Sequence, residues 1–332
     1  MQGTQKLTKH SFLKSVYQYT GFLKGIEAAK NTALSMQYDL QTFTGYLLKE
    51  GFKVEEKTLA ELPVALVEGY GDYLKVQGLK ANTRRRALAT LRRFFAYHQK
   101  RQKLDIDFAG LVEHAPKLER VPETIDLAEV KQAIDLARAE NLSDTRDLLI
   151  LEILATEGLN ISEICALTWL DFTQDSDASK GMNLRIKGRH ERTIRLSPSL
   201  SQKLMAYKER IANHRFHETV NASPTAVAQP SELSGWIFFR LTKDLQAKRP
   251  LSERACEHSI SHAQQFLGLT KVHTPRVFRH SVVLKWFKEG WTEDEIQERL
   301  GLRTKYAFRV FAPILSAKAE AEAKNDTTAR EE

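Results

Sequence analysis

Only two cysteines, Cys165 and Cys256, occur in 332 residues, and they stand far apart with no C-x-x-C spacing. Neither a disulfide framework nor a zinc motif is encoded, and a reducing, cytosolic compartment is the expectation. No glycine-rich phosphate loop and no metal-spaced His/Cys/Asp/Glu constellation occurs, so no cofactor and no metal is expected. No apolar run approaches the ~20 residues of a membrane span. The N-terminus, MQGTQKLTKHSFLKSVYQYTGFLKG, lacks the apolar core and small-residue cleavage site of a signal peptide, and no membrane partner is expected.

Acid is also scarce relative to base: 42 Asp and Glu face 50 Lys and Arg, a net charge of +8. A surplus of that sign fits a polyanionic partner such as nucleic acid, or a surface charged for solubility, and the placement of the charge decides between them. Hydrophobic residues at 42% and charged residues at 28% are ordinary globular values, and the length suits two domains.

The N-terminal part reads as helices. One is expected over residues 11–28, and a second over 31–50, capped by Asn31 or Thr32, with Leu34, Tyr38, Leu40, Phe43 and Leu47 inward and Gly51 ending it. A third runs from Leu62 to about Gly78. The segment KANTRRRALATLRRFFAYHQKRQK, residues 80–103, gives an apolar side of Leu88, Leu91, Phe94, Phe95 and Tyr97. Arg84, Arg85, Arg86, Arg92 and Arg93 populate the rest, with Lys80 and Thr83 at the start. A solvated face normally interleaves Glu; none occurs here, so this helix is the candidate nucleic-acid contact.

After Phe108 the stretch HAPKLERVPET reads as an extended linker. The expected organisation is a helical DNA-binding domain at 1–115, a linker at 116–125, a second domain at 126–316 and a tail at 317–332. DLAEVKQAIDLARA and SDTRDLLILEILATEG are helices, MNLRIKGRHERTIRLS is a hairpin turning at Gly188, Arg189 and His190, and residues 198–330 are again mostly helical. The tail starts as a helix and ends as polar disorder. Trp169, Trp236 and Trp286 read as core, and the acids of KEGWTEDEIQERLG as helix-capping groups.

TPRVFRHSVVLKWFKEGWTEDEIQERLG resembles the TPHxLRHSFATxLxxxGxxxxxIQxLLGH block of the tyrosine recombinase and phage integrase family. ATEGLNISEICALTWLDF resembles its ATGLRxSELxxLxWxDI block, and IKGRHERTIRLS its VxGKGxKxRxVPL strand pair. The resemblance spans residues 29–314. It implies a mainly α fold with a small β-sheet (α+β): a helical, SAM-like core-binding domain followed by a catalytic-type domain. In that family a tyrosine hydroxyl attacks a DNA phosphodiester, while arginines, histidines and a lysine stabilise the charged phosphorane.

Position by position, the family's first arginine falls on Asn160, and the hairpin lysine on Arg189 or Lys187. The first histidine falls on Arg276 and the second arginine on Arg279, which is retained. The second histidine falls on Leu302 and the nucleophile on Phe311. Phe311 has no hydroxyl, Asn160 brings no charge, Leu302 donates nothing, and Arg276 binds an anion without shuttling a proton near neutral pH. No catalytic residue is therefore assigned, and Arg189, Arg276 and Arg279 join the basic helix as DNA contacts. His273 and His190 read as phosphate or structural contacts, and Tyr306, five residues before Phe311, as a hydroxyl that a shifted helix would present.

The implied function is a site-specific DNA-binding pseudo-recombinase, an accessory or architectural factor in recombination and transposition of a mobile element, in the bacterial cytoplasm on the nucleoid. Its expected partners are double-stranded DNA and an active tyrosine recombinase encoded nearby. Pro313, Ile314 and Leu315, followed by AKAEAEAK, read either as a self-association segment or as a solvated tail. Two other readings compete: an active recombinase using Tyr306, and a DNA-binding transcriptional regulator.

Overall fold

A computed structural model describes residues 11–25, 30–102, 104–115, 121–174, 181–188, 190–222, 235–242 and 249–316. Arg189 and the tail from Ala317 lie outside these residues. The chain divides into two compact units, residues 1–119 and 120–332.

The first unit is helical: α1 (Phe12–Gly25), α2 (Lys30–Lys49), α3 (Val64–Glu68), α4 (Tyr70–Val76), α5 (Ala81–Gln102) and α6 (Phe108–Leu111). Aromatic rings fill its centre, with Phe12, Phe43, Tyr70, Phe94, Phe95 and Phe108 fully buried. Phe43 meets Tyr70 edge-on at 4.7 Å and Phe12 meets Phe94 at 5.9 Å, the geometry aromatic quadrupoles favour.

Three expectations for this unit are corrected. Leu34 and Tyr38 are 42% and 65% exposed; the inward face of α2 is Met36, Leu40, Phe43 and Leu47. Both sets recur at helical spacing, and contact with α1 and α5 selects the second. α2 starts at Lys30, so Asn31 and Thr32 lie inside it and cap nothing. The single helix expected at residues 62–78 is two, broken at Gly69, where the backbone at φ −70° and ψ −13° closes α3 before α4 begins.

The second unit is built on α8 (Leu142–Glu157), which is buried on nearly every side from Asp147 to Ala155 and packs against α7 (Leu127–Leu136), α10 (Pro198–Ala222), α11 (Glu253–Phe266) and α12 (Pro275–Lys288). An antiparallel sheet of β1 (Phe172–Gln174), β2 (Met182–Ile186) and β3 (Arg192–Arg195) lies beside it, with Leu184 opposite both Phe172 and Ile194. The hairpin is the one expected from the sequence; β1 is an addition. Within a region expected to be mostly helical, residues 235–242 and 249–251 hold short bridges instead, Trp236 to Thr168 and Phe239 to Pro250. A second cluster joins α12, α13 (Glu293–Leu300) and a 3₁₀ turn at Lys305–Phe311. Trp169 and Trp286 are buried and Trp236 half-buried, and Thr292 with Glu295 forms a capping box at the start of α13. The mainly helical architecture with one small sheet is as the sequence implied.

Candidate functional site

α5 presents its basic side to solvent while Leu88, Leu91, Phe94 and Phe95 face the core. Its arginines divide by what they already hold. Arg86 reaches the buried carboxylate of Asp39 at 2.9 Å, where the Thr90 hydroxyl also donates, so it is a structural residue before it is a ligand for anything else. Arg84 donates to the Leu79 carbonyl at 2.9 Å and Arg92 to the Glu113 carbonyl at 2.7 Å. Those carbonyls are neutral, and neither guanidinium makes an ion pair among the described residues. Arg93 is exposed and Arg85 half-buried; Lys80 is exposed and Thr83 half-buried. Asn82, Arg85, Ala89, Arg93, Ala96 and Lys100 follow i, i+3, i+4 steps, which places them on one stripe opposite the buried side. Two alanines between cations let a backbone approach closely.

In the second unit, α8 ends on Gly158 at φ +60°, where a Cβ would meet Val282 Cγ1 at 3.2 Å. That left-handed turn sets Asn160, exposed, at the head of α9 (Ile161–Ala166). Glu163 accepts the Asn160 backbone N–H at 2.8 Å and, through its other oxygen, Arg192 at 2.8 Å. Arg192 also donates to the Arg299 carbonyl at 2.7 Å, and Arg299 pairs with the buried Glu157. Burial raises the Glu157 pKa, and Arg299 opposes that rise. These two buried ion pairs tie α8, α9, β3 and α13 together behind the exposed residues.

On α12, Arg279 is half-buried and donates to the Gly158 carbonyl, and burial lowers its pKa from the usual arginine value. Arg276 is exposed, and its Nε–H donates to His280 Nε2 at 3.3 Å. That bond makes Nε2 an acceptor, which fits a neutral imidazole. Burial, then Arg276 and Arg279, push His280 down to about 4. Its ring meets that of Phe311 in a T-shaped arrangement, 5.5 Å between centres at 89°. Phe311 is 2% exposed. The structure thus brings Arg276, Arg279, His280 and Phe311 into one neighbourhood.

Leu302 points elsewhere in role: it packs on the α12–α13 cluster while Gln297 bonds both its N–H, at 2.9 Å, and its carbonyl, at 3.0 Å. The cleft beside it is lined by Glu191, Asp294, Glu295 and Glu298 together with His190, Arg192 and Arg299. Of the two hairpin cations, Lys187 is committed to the buried Asp171 at 2.7 Å, which leaves Arg189, outside the described residues. His273 is held structurally, its N–H and carbonyl both bonded by Gln264 and its ring 3.2 Å from Glu123; His190 is exposed. Tyr306 is 56% exposed, with Arg309 stacked 5.1 Å from its ring centre.

Sequence reasoning missed the Glu163–Arg192 and Glu157–Arg299 pairs, whose partners lie in separate elements. α11 falls in the region expected to be mostly helical, but its exposed Arg254, His258 and Gln265, which stand beside Glu253 and Glu257, were not singled out.

Residues 123–307 match the model of the phage integrase family, and residues 16–102 that of the phage integrase N-terminal SAM-like domain. The first match ends before Phe311. Tyrosine recombinase XerD of Agrobacterium fabrum is 23% identical over 331 residues, covering 96% of this chain and 93% of its own. Tyrosine recombinase XerC of Chlamydia caviae is 25% identical over 305 residues, covering 87% and 90%. Among solved structures, the XerH site-specific recombinase in a post-cleavage complex with palindromic difH substrate superposes with a TM-score of 0.61 at 16% identity, over 96% of this chain and 90% of that one. A lambda integrase dimer bound to a COC' core site gives 0.60 at 15%, over 90% and 97%. With its catalytic-type region matched over more than half its length, the chain belongs to the phage integrase family, the tyrosine recombinases.

Proposed function

We propose that this protein binds double-stranded DNA at a specific site and holds it without cutting it, as an accessory or architectural subunit in recombination of a mobile element. It works beside an intact tyrosine recombinase encoded nearby. The observation that carries this reading is Phe311, 2% exposed and ringed by His280 and Phe287 where the resemblance puts the nucleophilic hydroxyl. Arg276, Arg279 and Arg189 serve as phosphate ligands, and the stripe on α5 and the polar side of α11 supply groove contacts. The relatives support DNA as the partner, since XerH and lambda integrase are each described in complex with their DNA sites.

Exposure of Tyr306 favours one rival, an active enzyme with a displaced nucleophile. In a 3₁₀ turn of about three residues per turn, residues five apart point roughly 120° from each other, so Tyr306 and Phe311 do not share a direction. The deciding experiment incubates the protein with its selected DNA site carrying a nick that traps covalent intermediates. No covalent adduct is expected while specific binding persists. An adduct formed by the wild type and abolished by Tyr306→Phe would establish the rival.

A further inference from the structure

Three clefts of the second unit differ in whether their cations are already held. Beside Leu302, Arg192 and Arg299 are engaged by Glu163 and Glu157. Between α7, α8 and α12, Lys131 pairs with Asp135 and Lys285 with Glu289. The third cleft, of about 850 Å³, lies between α11, the start of α8 and the segments at Arg240 and at residues 249–252. Its floor is closed. Arg146 holds the buried Asp147 at 2.7 Å and donates to the Phe239 carbonyl and the Ser259 hydroxyl, each at 3.3 Å, while His262 Nδ1 stands 3.1 Å from the same carboxylate. Asp147 is the one carboxylate that lines the cleft, and Arg146 neutralises it; Glu253 and Glu257 stand on α11 but are not part of the lining. The rim is open. Arg240, Arg249 and His258 are exposed, and none makes an ion pair or hydrogen bond among the described residues.

We propose that this cleft binds a phosphate group, at a site separate from Arg276 and Arg279. None of its lining residues comes from α9, the β2–β3 hairpin or α12. Two guanidinium groups without carboxylates offer forked N–H donors that match the non-bridging oxygens of a phosphate. Like charges around one opening repel, and an anion between them replaces that repulsion with two attractions. A cationic ligand finds no counterpart here, because the lining carboxylate is buried and already paired. A phosphodiester of the DNA backbone and a free phosphate ester present the same oxygens, so the chemistry fixes the group and experiment fixes its source. Only the DNA source rests on the DNA-binding reading above.

The test gives the full-length protein two probes: AMP, followed by titration calorimetry, and a duplex of its selected site, followed by fluorescence anisotropy over a range of salt. Arg240→Gln with Arg249→Gln is compared with a charge-matched pair outside the cleft, Lys24→Gln with Arg138→Gln, both exposed. Melting should stay at the wild-type value in both pairs, since exposed side chains without partners contribute little to stability. If the cleft takes a free ester, AMP affinity should fall by at least about tenfold in the cleft pair and hold in the control pair. If it takes a backbone phosphate, the DNA salt slope should fall by about one in the cleft pair alone, the value for a single phosphate. Either result supports the site and names its source. On the wild type alone, phenylglyoxal modification of Arg240 and Arg249, read by peptide mass, should slow with the responding probe present while Arg138 reacts as before. Equal losses in cleft and control pairs, or neither loss nor protection with either probe, would overturn the proposal. A wild type that binds AMP in the cleft but no DNA would sink the DNA-binding reading and leave this one standing.

Discussion

Restoring the missing hydroxyl should damage the protein and create no enzyme. Phe311 is 2% exposed, packed edge-on to His280 at 5.5 Å and against Phe287 at 6.3 Å. Phe311→Tyr puts a hydroxyl into this cluster. If no partner meets it, desolvation costs about 1–3 kcal/mol. For a unit of this size each kcal/mol lowers melting by about 2–4 °C, so a drop of roughly 2–12 °C is expected. The assay is clean because all four tryptophans, Trp169, Trp236, Trp286 and Trp291, lie in the second unit, so their fluorescence reports that unit alone. The same variant should form no adduct on nicked DNA, since Asn160 brings no charge to the phosphorane and Leu302 no donor. A stable Phe311→Tyr protein that becomes covalently attached to DNA would refute the reasoning at both steps. It would mean that the hydroxyl finds partners and that the remaining arginines suffice for catalysis.

The arginines of α5 should separate by role. Arg85→Ala with Arg93→Ala should weaken binding to all DNA sequences and reduce the salt slope by about two while leaving stability unchanged; Arg86→Ala should destabilise the first unit by about 1 kcal/mol, a modest figure because Arg86 is half in solvent, by stranding the buried Asp39 with Thr90. Equal loss of affinity with no loss of stability for all three would remove the distinction. Acid should weaken the second unit through His280, whose folded pKa of about 4 lies below the ~6.5 of a solvated histidine. The unfolded chain binds the extra proton, so this contribution is full above about pH 6.5 and is lost as pH falls toward 4. Glu157, raised by burial, acts in the opposite sense. Urea unfolding at pH 7 and pH 5 should therefore show a smaller acid loss in His280→Gln than in wild type, and equal losses would count against a neutral buried histidine.

How far the sequence could be read depended on whether a residue's partner was local. The helix α5 was legible because Leu88, Leu91 and Phe95 recur at helical spacing and the arginines fill the complement. The hairpin was legible because Leu184, Ile186 and Ile194 alternate and face inward together. On α2 two apolar stripes compete, and nothing within the segment says which meets Phe12 and Phe95; only the neighbouring helices choose. The strand β1 is three residues long, too short for alternation to show. The candidate site repeats the pattern. Motif order located Asn160, Arg276, Arg279 and Phe311, but that Arg86 is bound to Asp39, 47 residues away, is a property of the fold.

The buried ion pairs bear on why such a site persists. Desolvating two charges nearly cancels their attraction, so Glu163–Arg192 and Glu157–Arg299 add little net stability compared with apolar residues of similar size. They do fix positions. Arg192 lies against Gly301, whose left-handed φ of +61° ends α13 and whose Cβ, if present, would fall 2.7 Å from the Arg192 guanidinium. The loop carrying Leu302 is thereby locked to β3, and through Glu163 to the head of α9 at Asn160. A scaffold that aims these positions is intact, while the side chains it aims have no charge and no hydroxyl. A protein that only needed to fold would gain from replacing the pairs with packed hydrophobes. One that must present Arg276 and Arg279 to a phosphate needs the frame but not the nucleophile, and the proposed binding without cleavage would use what this frame supplies.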